Sequence, residues 1–139
     1  MKPTNSIRLV MIMKNYCPIF QWSRGQNFPI FEQISTNISG VFGAFTLMIP
    51  FLQRAGLLSE TDKLENINFG KTRIFYRDNM LFQSIYFVNP FVFRNQKIIV
   101  QLMQKIDNEF MQNFGDSLKN WDHSIDLFIK FNEICEKLL

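Results

Sequence analysis

The stretch Ile67–Val88, INFGKTRIFYRDNMLFQSIYFV, decides the fold that this sequence predicts. Its first arm changes apolar phase at Gly70, because the apolar residues before the glycine have one parity and those after it have the other. Such a change requires a bulge or a short turn at the glycine. We therefore predict a short strand, an interruption at Gly70 and a second strand.

A polar turn at Arg77–Asn79 is expected to join that second strand to a third. Asp and Asn tolerate the left-handed backbone that tight hairpin turns require. The following arm, Met80–Val88, is apolar on nearly both parities and is interrupted only by Gln83 and Ser84. A strand with two apolar faces must be covered on both, so it is predicted to lie in the middle of a sheet between helices.

A second hairpin is predicted at the start of the chain. The run Ile7–Met13 is apolar except for Arg8 and also has the pattern of a central strand. After a turn at Lys14–Tyr16, the segment Pro18–Trp22 returns. Because Pro18 has no amide hydrogen, the returning segment is predicted to be an edge strand or the start of a strand.

Helical spacing of apolar residues begins at Ile30 or Phe31 and continues to Leu52. Pro50 is expected to kink this helix or to end its regular part near Ile49, and Gly56 is suited to a C-terminal cap. The helix is apolar over more than one stripe, so some of these side chains should stay exposed in a monomer and favour association: Val41, Phe42, Phe45, Leu47, Met48, Ile49 and Phe51.

Two further helices are predicted in the last third of the chain. Asn95 is a candidate N-cap for a helix through Phe114, with Gly115 at its end. Ser124 is a candidate cap for a final helix to Leu138, with five residues facing inward: Ile125, Phe128, Phe131, Cys135 and Leu138. The element order is then β-β-α-β-β-β-α-α. It predicts one α+β domain spanning residues 1–139, in which a five-stranded antiparallel sheet carries one helix on one face and two on the other.

Composition excludes several classes of protein. With 47% hydrophobic residues the chain is not disordered, and no uninterrupted apolar run is long enough for an ordinary membrane span. Cys17 and Cys135 lack metal-ligand or redox spacing, which predicts free thiols in the cytoplasm. Residues 63–105 carry seven Lys or Arg and two Asp or Glu, whereas residues 106–139 carry three and seven. The basic residues form no run, so a nucleic-acid partner is not predicted.

Catalytic and cofactor signatures are lacking. His123 is the only histidine, and its position before a predicted helix favours a surface or capping role. The triplet Gly70–Thr72 lacks the upstream glycine and the following helix of a phosphate-binding loop. Asp107 and Glu109 are interpreted as residues of a polar helix face, two positions apart, which do not meet as a catalytic pair. The sequence therefore predicts no enzyme and no cofactor.

Three segments together resemble the longin, or SNARE-like, family: IRLVMIMKNYCPIFQWS at the start, INFGKTRIFYRDNMLFQSIYF in the middle and NFGDSLKNWDHSIDLFIKFNEICEKLL at the end. The family includes adaptor sigma chains, small TRAPP subunits, longin domains of trafficking SNAREs and the N-terminal domain of the signal recognition particle receptor. Roadblock domains are related but generally begin with a helix. The resemblance covers almost the whole chain but is one of pattern, without an invariant motif.

The resemblance implies a scaffold or protein–protein interaction module in membrane trafficking or small-GTPase regulation. Its partners would be a small GTPase, another longin or roadblock subunit, or a second copy of the chain, with membrane contact only through partners. In longin-like domains the groove between the first helix and a sheet edge, here near Leu64–Phe69, commonly takes a partner segment or forms a dimer. This points to Phe42, Phe45, Ile49, Ile67 and Phe69 as partner-binding residues, although Ile67 and Phe69 fit equally well as residues of the core.

Three further residues, Lys71, Arg73 and Arg77, share one parity of the basic strand and so one face. They are candidates for contact with a phosphate or carboxylate, or equally for ordinary solubility. Two other functions stay open. A small-ligand sensor of the PAS or GAF kind would need a pocket under the sheet, and an enzyme would need a cleft with perturbed titrating groups.

Overall fold

Five antiparallel strands form one sheet, with the order β2-β1-β5-β4-β3 across it. The computed structural model describes residues 2–25 and 31–139, and the side chains of all of these except 31–36. The strands and helices have these bounds: β1 Ile7–Lys14, β2 Cys17–Ser23, α1 Phe31–Arg54, β3 Asn66–Phe69, β4 Thr72–Asp78, β5 Gln83–Val88, α2 Gln96–Lys119 and α3 Phe131–Leu138. The predicted element order and the α+β class are confirmed.

The strand positions follow the apolar patterns. β5 and β1 are neighbours in the interior of the sheet, as their two apolar faces predict, and β2 is an edge strand that begins beside Pro18. Asn15 and Tyr16 both have positive φ, 51° and 62°, as the two central residues of a tight hairpin require. A short turn also separates β3 from β4 at Gly70, whose φ is 53°.

The turn between β4 and β5 lies later than predicted. Asp78 still pairs with Gln83 as the last residue of β4, so the turn predicted at Arg77–Asn79 is wrong. The Asp78 carboxylate accepts the Met80 amide at 3.0 Å, and Met80 has the positive φ of 69°. The aspartate thus initiates the turn through its side chain instead of occupying its centre.

Helix α1 continues through Pro50 to Arg54, so the predicted alternative of an end near Ile49 is wrong. The helix ends before Gly56, the glycine that was predicted as its C-terminal cap. Gly56 has φ 78° and its amide donates to the Gln53 carbonyl, while the Leu57 amide donates to the Leu52 carbonyl at 3.0 Å. These two bonds form a Schellman motif, which satisfies carbonyls that the helix leaves without partners.

Helix α2 begins at the predicted cap, where the Asn95 side chain accepts the Ile98 amide. The helix does not end at Gly115, which is buried inside it: a Cβ there would lie 3.0 Å from Met111 Sδ, so the glycine leaves room for this side chain. The apolar stripe instead continues to Leu118, which is buried.

The predicted Ser124 cap is wrong. A 3₁₀ helix over Asp126–Lys130 precedes the shorter α3. The Ser124 amide is bound by the Asp122 carboxylate at 2.9 Å, so this serine belongs to a turn before the helix. Ile125, predicted to face inward, is exposed, whereas Phe128, Phe131 and Cys135 are fully buried as predicted.

The sheet separates two apolar layers. Helices α2 and α3 cover the larger one, where six phenylalanines fill the space against the sheet with ring centroids 4.8–6.0 Å apart: Phe20, Phe82, Phe110, Phe114, Phe128 and Phe131. Helix α1 covers the smaller layer, whose buried members are Met11, Met13, Phe42, Ile74, Tyr76 and Ile85. The face under α1 is therefore the less completely covered one.

Candidate functional site

Helix α1 is held closely along the flank that faces the first hairpin. A Cβ on Gly43 would lie 3.1 Å from the Tyr16 ring, so the glycine permits a close approach there. Thr46 Oγ1 lies 2.9 Å from the Tyr16 hydroxyl, and the Phe42 ring stacks on Tyr76 with centroids 5.5 Å apart. These contacts fix α1 towards β2 and over the middle of the sheet, and its other flank remains separated from β3.

An apolar groove of about 340 Å³ occupies this separation. We call it the α1–β3 groove. Among the residues that the structure describes, its lining is hydrophobic apart from Asn37: Ile38, Val41, Phe42 and Phe45 from α1, Ile67 and Phe69 from β3, and Ile74 from β4. Phe42 is buried and forms part of the floor, whereas Val41, Phe45 and Phe69 are 51%, 42% and 62% exposed along the rims.

The strand beside the groove is an open sheet edge. Among the strands that the structure describes, β3 pairs with β4 alone, where Ile67 lies opposite Ile74 and Phe69 opposite Thr72. The outer edge of such a strand presents backbone donors and acceptors to a further extended segment. Groove and edge together suit a partner segment that inserts apolar side chains under α1, either as an extended strand or as an amphipathic helix.

Four of the five apolar residues named from the sequence meet in this groove: Phe42, Phe45, Ile67 and Phe69. Ile49 lies elsewhere, on the wall of a second cavity. Four lining residues were not named as site residues, namely Asn37, Ile38, Val41 and Ile74. The helical spacing of Ile38 and Val41 was evident in the sequence. The sequence did not show which flank of α1 stays uncovered, because this depends on the contact of the helix with Tyr16 in the first hairpin.

The second cavity has about 490 Å³ and opens where β3 begins, beside the part of β4 that extends beyond the β3–β4 pairing. The β3–β4 pairing ends at Asn66 and Phe75, with one further backbone bond from the Tyr76 amide to the Glu65 carbonyl at 2.9 Å. The walls of this cavity are more polar than those of the groove and include Lys63, Glu65, Asn66, Asp78, Asn79, Gln96 and Gln104.

The basic residues named from the sequence do not form a free row. Lys71 is exposed in the turn between β3 and β4. Arg73 donates to Asn68 Oδ1 at 2.7 Å and to the Gln96 side chain of α2. Arg77 donates to the side chains of Asp107 and Gln104 in α2. On this face of the sheet, the two arginines fasten α2 to β4.

A buried polar network centres on Asp107, which is 1% exposed. Its Oδ2 accepts Arg77 Nε at 2.7 Å and Asn79 Nδ2 at 3.1 Å, and its Oδ1 accepts the Tyr86 hydroxyl at 2.5 Å. Arg77 also donates to the Gln104 side chain. The interpretation of Asp107 as part of a polar helix face is therefore wrong, because three donors from the sheet satisfy the carboxylate inside the protein.

Burial perturbs two other groups in the same layer. It raises the pKa of Tyr86 well above its usual value of 10.0, with the Asp107 charge acting in the same direction. Burial also raises the pKa of the Cys135 thiol to about 12. Both groups are closed to solvent, so their shifts follow from packing and from the structural network, and neither marks a cleft.

The remaining candidates for chemistry lie apart. The His123 ring is 4.8 Å from the Trp121 ring, in the turn that precedes the 3₁₀ helix. In the described part of the chain, no three His, Cys, Asp or Glu side chains come together in a way that would hold a metal ion. None of the helices that the structure describes is long and apolar enough to cross a membrane.

Comparison with known proteins gives no family assignment. No protein-family model matches this chain, and a search of curated proteins finds no match.

Proposed function

We propose that the chain is a non-enzymatic interaction module of the longin class, which serves as a scaffold subunit in membrane trafficking or small-GTPase regulation. The observation that carries this proposal is the α1–β3 groove beside an open sheet edge. The longin-like pattern of the sequence supplies the biological setting. The groove supplies the physical means, which is burial of a partner's apolar side chains against Phe45, Ile67 and Phe69.

The partner segment is expected to be apolar on the side that enters the groove. Apart from Asn37, the described residues that line the groove are hydrophobic, so a charged or strongly polar side chain placed there would lose hydration with few groups available for a hydrogen bond. Specificity would come from shape and from the backbone edge of β3. A surface loop of a small GTPase or a segment of another longin or roadblock subunit fits these requirements.

The alternative of a small-ligand sensor is less well supported. Its ligand would lie between the sheet and the helices, where PAS- and GAF-like domains need a pocket. In this chain the space under α2 and α3 is filled by contacting phenylalanine rings, with Phe110 packed against Phe82, Phe114, Phe128 and Phe131. The 490 Å³ cavity has a suitable volume but lies at the sheet edge.

A groove variant tests the proposal. Phe69→Asp places a charge on the exposed rim of the groove, and a residue that contributes as a binding anchor loses about 2 kcal/mol or more when it is removed. We therefore expect at least about a thirtyfold loss of affinity for any GTPase, coat subunit or tether subunit that the wild-type protein binds. Proximity labelling in cells would identify the partners, and titration calorimetry with each purified partner would measure the loss.

Met80→Asp is the matched control. Met80 is 92% exposed in the loop between β4 and β5, so this variant places the same charge on an apolar residue outside the groove. It should keep every partner. Equal binding by both variants, or partners that include no trafficking or GTPase-related protein, would contradict the proposal.

A further inference from the structure

A second apolar surface of α1 faces away from the sheet. At 3.6 residues per turn, four residues lie on the side of the helix opposite the buried Phe42. We call them the α1 ridge: Gly40, Ala44, Leu47 and Phe51. Leu47 and Phe51 are 66% and 65% exposed, and none of the four lines the α1–β3 groove. The ridge therefore needs an occupant of its own.

Charge limits what this occupant can be. The sequence has no charged residue between Gln33 and Gln53, and the Arg54 guanidinium lies at the C-terminal end of the ridge, 5.1 Å from the centroid of the Phe51 ring. The centre of the ridge therefore offers no charge that would attract an oppositely charged partner. Helices that lie on membranes carry Lys and Arg along their polar face. The opposite face of α1 is instead packed on the sheet through Phe42 and Tyr76. The ridge thus fits an uncharged protein surface better than an anionic lipid surface.

The shape of the ridge suits a copy of itself. A Cβ on Gly40 would meet nothing within 4 Å, so open space lies above the backbone one turn before Ala44. In an antiparallel contact with a two-fold axis near Ala44, Leu47 of each copy lies over Gly40 of the other. Small residues at such a crossing let two helix axes approach to the usual distance of about 8–10 Å.

The available area suits a weak dimer. Leu47, Phe51 and the adjacent Met48, which is 50% exposed, together with the small ridge residues expose on the order of 500 Å² per copy, judged from the sizes of such side chains. A standard interface takes about 800 Å² per partner. The ridge is smaller than this, as weak and transient interfaces are, and an isologous contact centred near Ala44 has no like-charge repulsion at its centre.

We propose that the α1 ridge is a homodimer interface in which α1 packs antiparallel against α1 of a second copy. The contact leaves the α1–β3 groove of both copies open, so self-association and partner binding use different surfaces of one helix. The dimer dissociates in the micromolar concentration range.

Light scattering after gel filtration, over a range from about 1 to 200 μM, tests this contact. The mass of the wild-type protein should rise from 16.5 kDa towards twice that value. Leu47→Glu should stay monomeric throughout, because it brings like charges together at the contact. Gln112→Glu, on the exposed face of α2, is the matched control and should dimerise like the wild type. Phe69→Asp should also dimerise, which separates this proposal from the groove proposal.

Cross-linking gives a second measurement with folded protein. The exposed native cysteine is removed by Cys17→Ser, and the other, Cys135, is fully buried. In this background, Ala44→Cys should form a covalent dimer on mild oxidation. Gln112→Cys in the same background should not. A wild-type mass that stays at 16.5 kDa at all concentrations, or a dimer that persists in Leu47→Glu, overturns the proposal. Binding of the monomer to phosphatidylserine vesicles that Leu47→Glu abolishes would overturn it in favour of a lipid surface.

Discussion

Asp107→Ala should destabilise the protein strongly, because it removes the buried carboxylate that accepts from Arg77, Asn79 and Tyr86. Removing one partner of a buried ion pair costs about 3–5 kcal/mol. Arg77 keeps its bond to Gln104 and its side chain is 20% exposed, so water can hydrate part of the abandoned charge. Tyr86 can turn its hydroxyl to the Met103 carbonyl, 3.2 Å away. The expected loss is therefore at the lower end, about 3 kcal/mol.

Urea denaturation and thermal unfolding would measure this loss. For a domain of this size, about 3 kcal/mol corresponds to a fall in Tm of roughly 10 °C. Tyr86→Phe removes one hydrogen bond and leaves Asp107 with two donors, so it should cost less, about 1.5–2 kcal/mol. Gln112→Ala, on the exposed face of the same helix, should stay within about 0.5 kcal/mol of the wild type. A loss of less than about 1 kcal/mol in the free energy of unfolding of Asp107→Ala would refute the conclusion that this network is a main stabilising contact between α2 and the sheet.

Two further predictions concern pH and backbone conformation. Burial raises the pKa values of Tyr86 and Tyr76 above 10.0 and that of Cys135 to about 12, so unfolded chains lose these protons first. Stability should be intact below the unfolded pKa values and fall as the pH rises from about 9–10 towards the folded ones, by up to about 1.4 kcal/mol per pH unit for each group. Urea titrations from pH 8 to 11 would check this, and a flat profile in wild type, or an unchanged slope in Tyr86→Phe, would contradict it. Gly56→Ala should cost about 1–2 kcal/mol because φ is 78° there, whereas Gly40→Ala in dilute solution should stabilise α1 by about 0.5–1 kcal/mol. Melting temperatures that move the same way in both glycine variants would show that backbone conformation is not the cause.

Local patterns predicted the parts of this fold that local physics decides. β1 and β5 were placed in the interior of the sheet because each is apolar on both parities, and the Asn95 cap followed from residue type and position. The Asp107 network could not be found in this way. Its donors Arg77 and Tyr86 lie 30 and 21 residues away in sequence, and a carboxylate in a helix without known partners indicates solvent.

The same limit applies to helix ends and to the groove. Gly115 has the residue type of a C-cap, but the need for space beside Met111 keeps it inside α2. The apolar excess of α1 was evident in the sequence. The sequence did not show which of these residues line the groove and which form the outer ridge. That depends on how Gly43 and Phe42 position the helix on the sheet.

Leu47 and Phe51, the two large residues of the α1 ridge, are 66% and 65% exposed, so they contribute little to the stability of the isolated domain. The helix packs on the rest of the protein through Phe42, Gly43 and Thr46. These contacts do not require apolar residues at Leu47 and Phe51. Large exposed apolar surfaces favour aggregation unless a partner covers them. Because groove and ridge lie on different sides of α1, covering one leaves the other free. α1 is therefore the element through which we expect the chain to join an assembly.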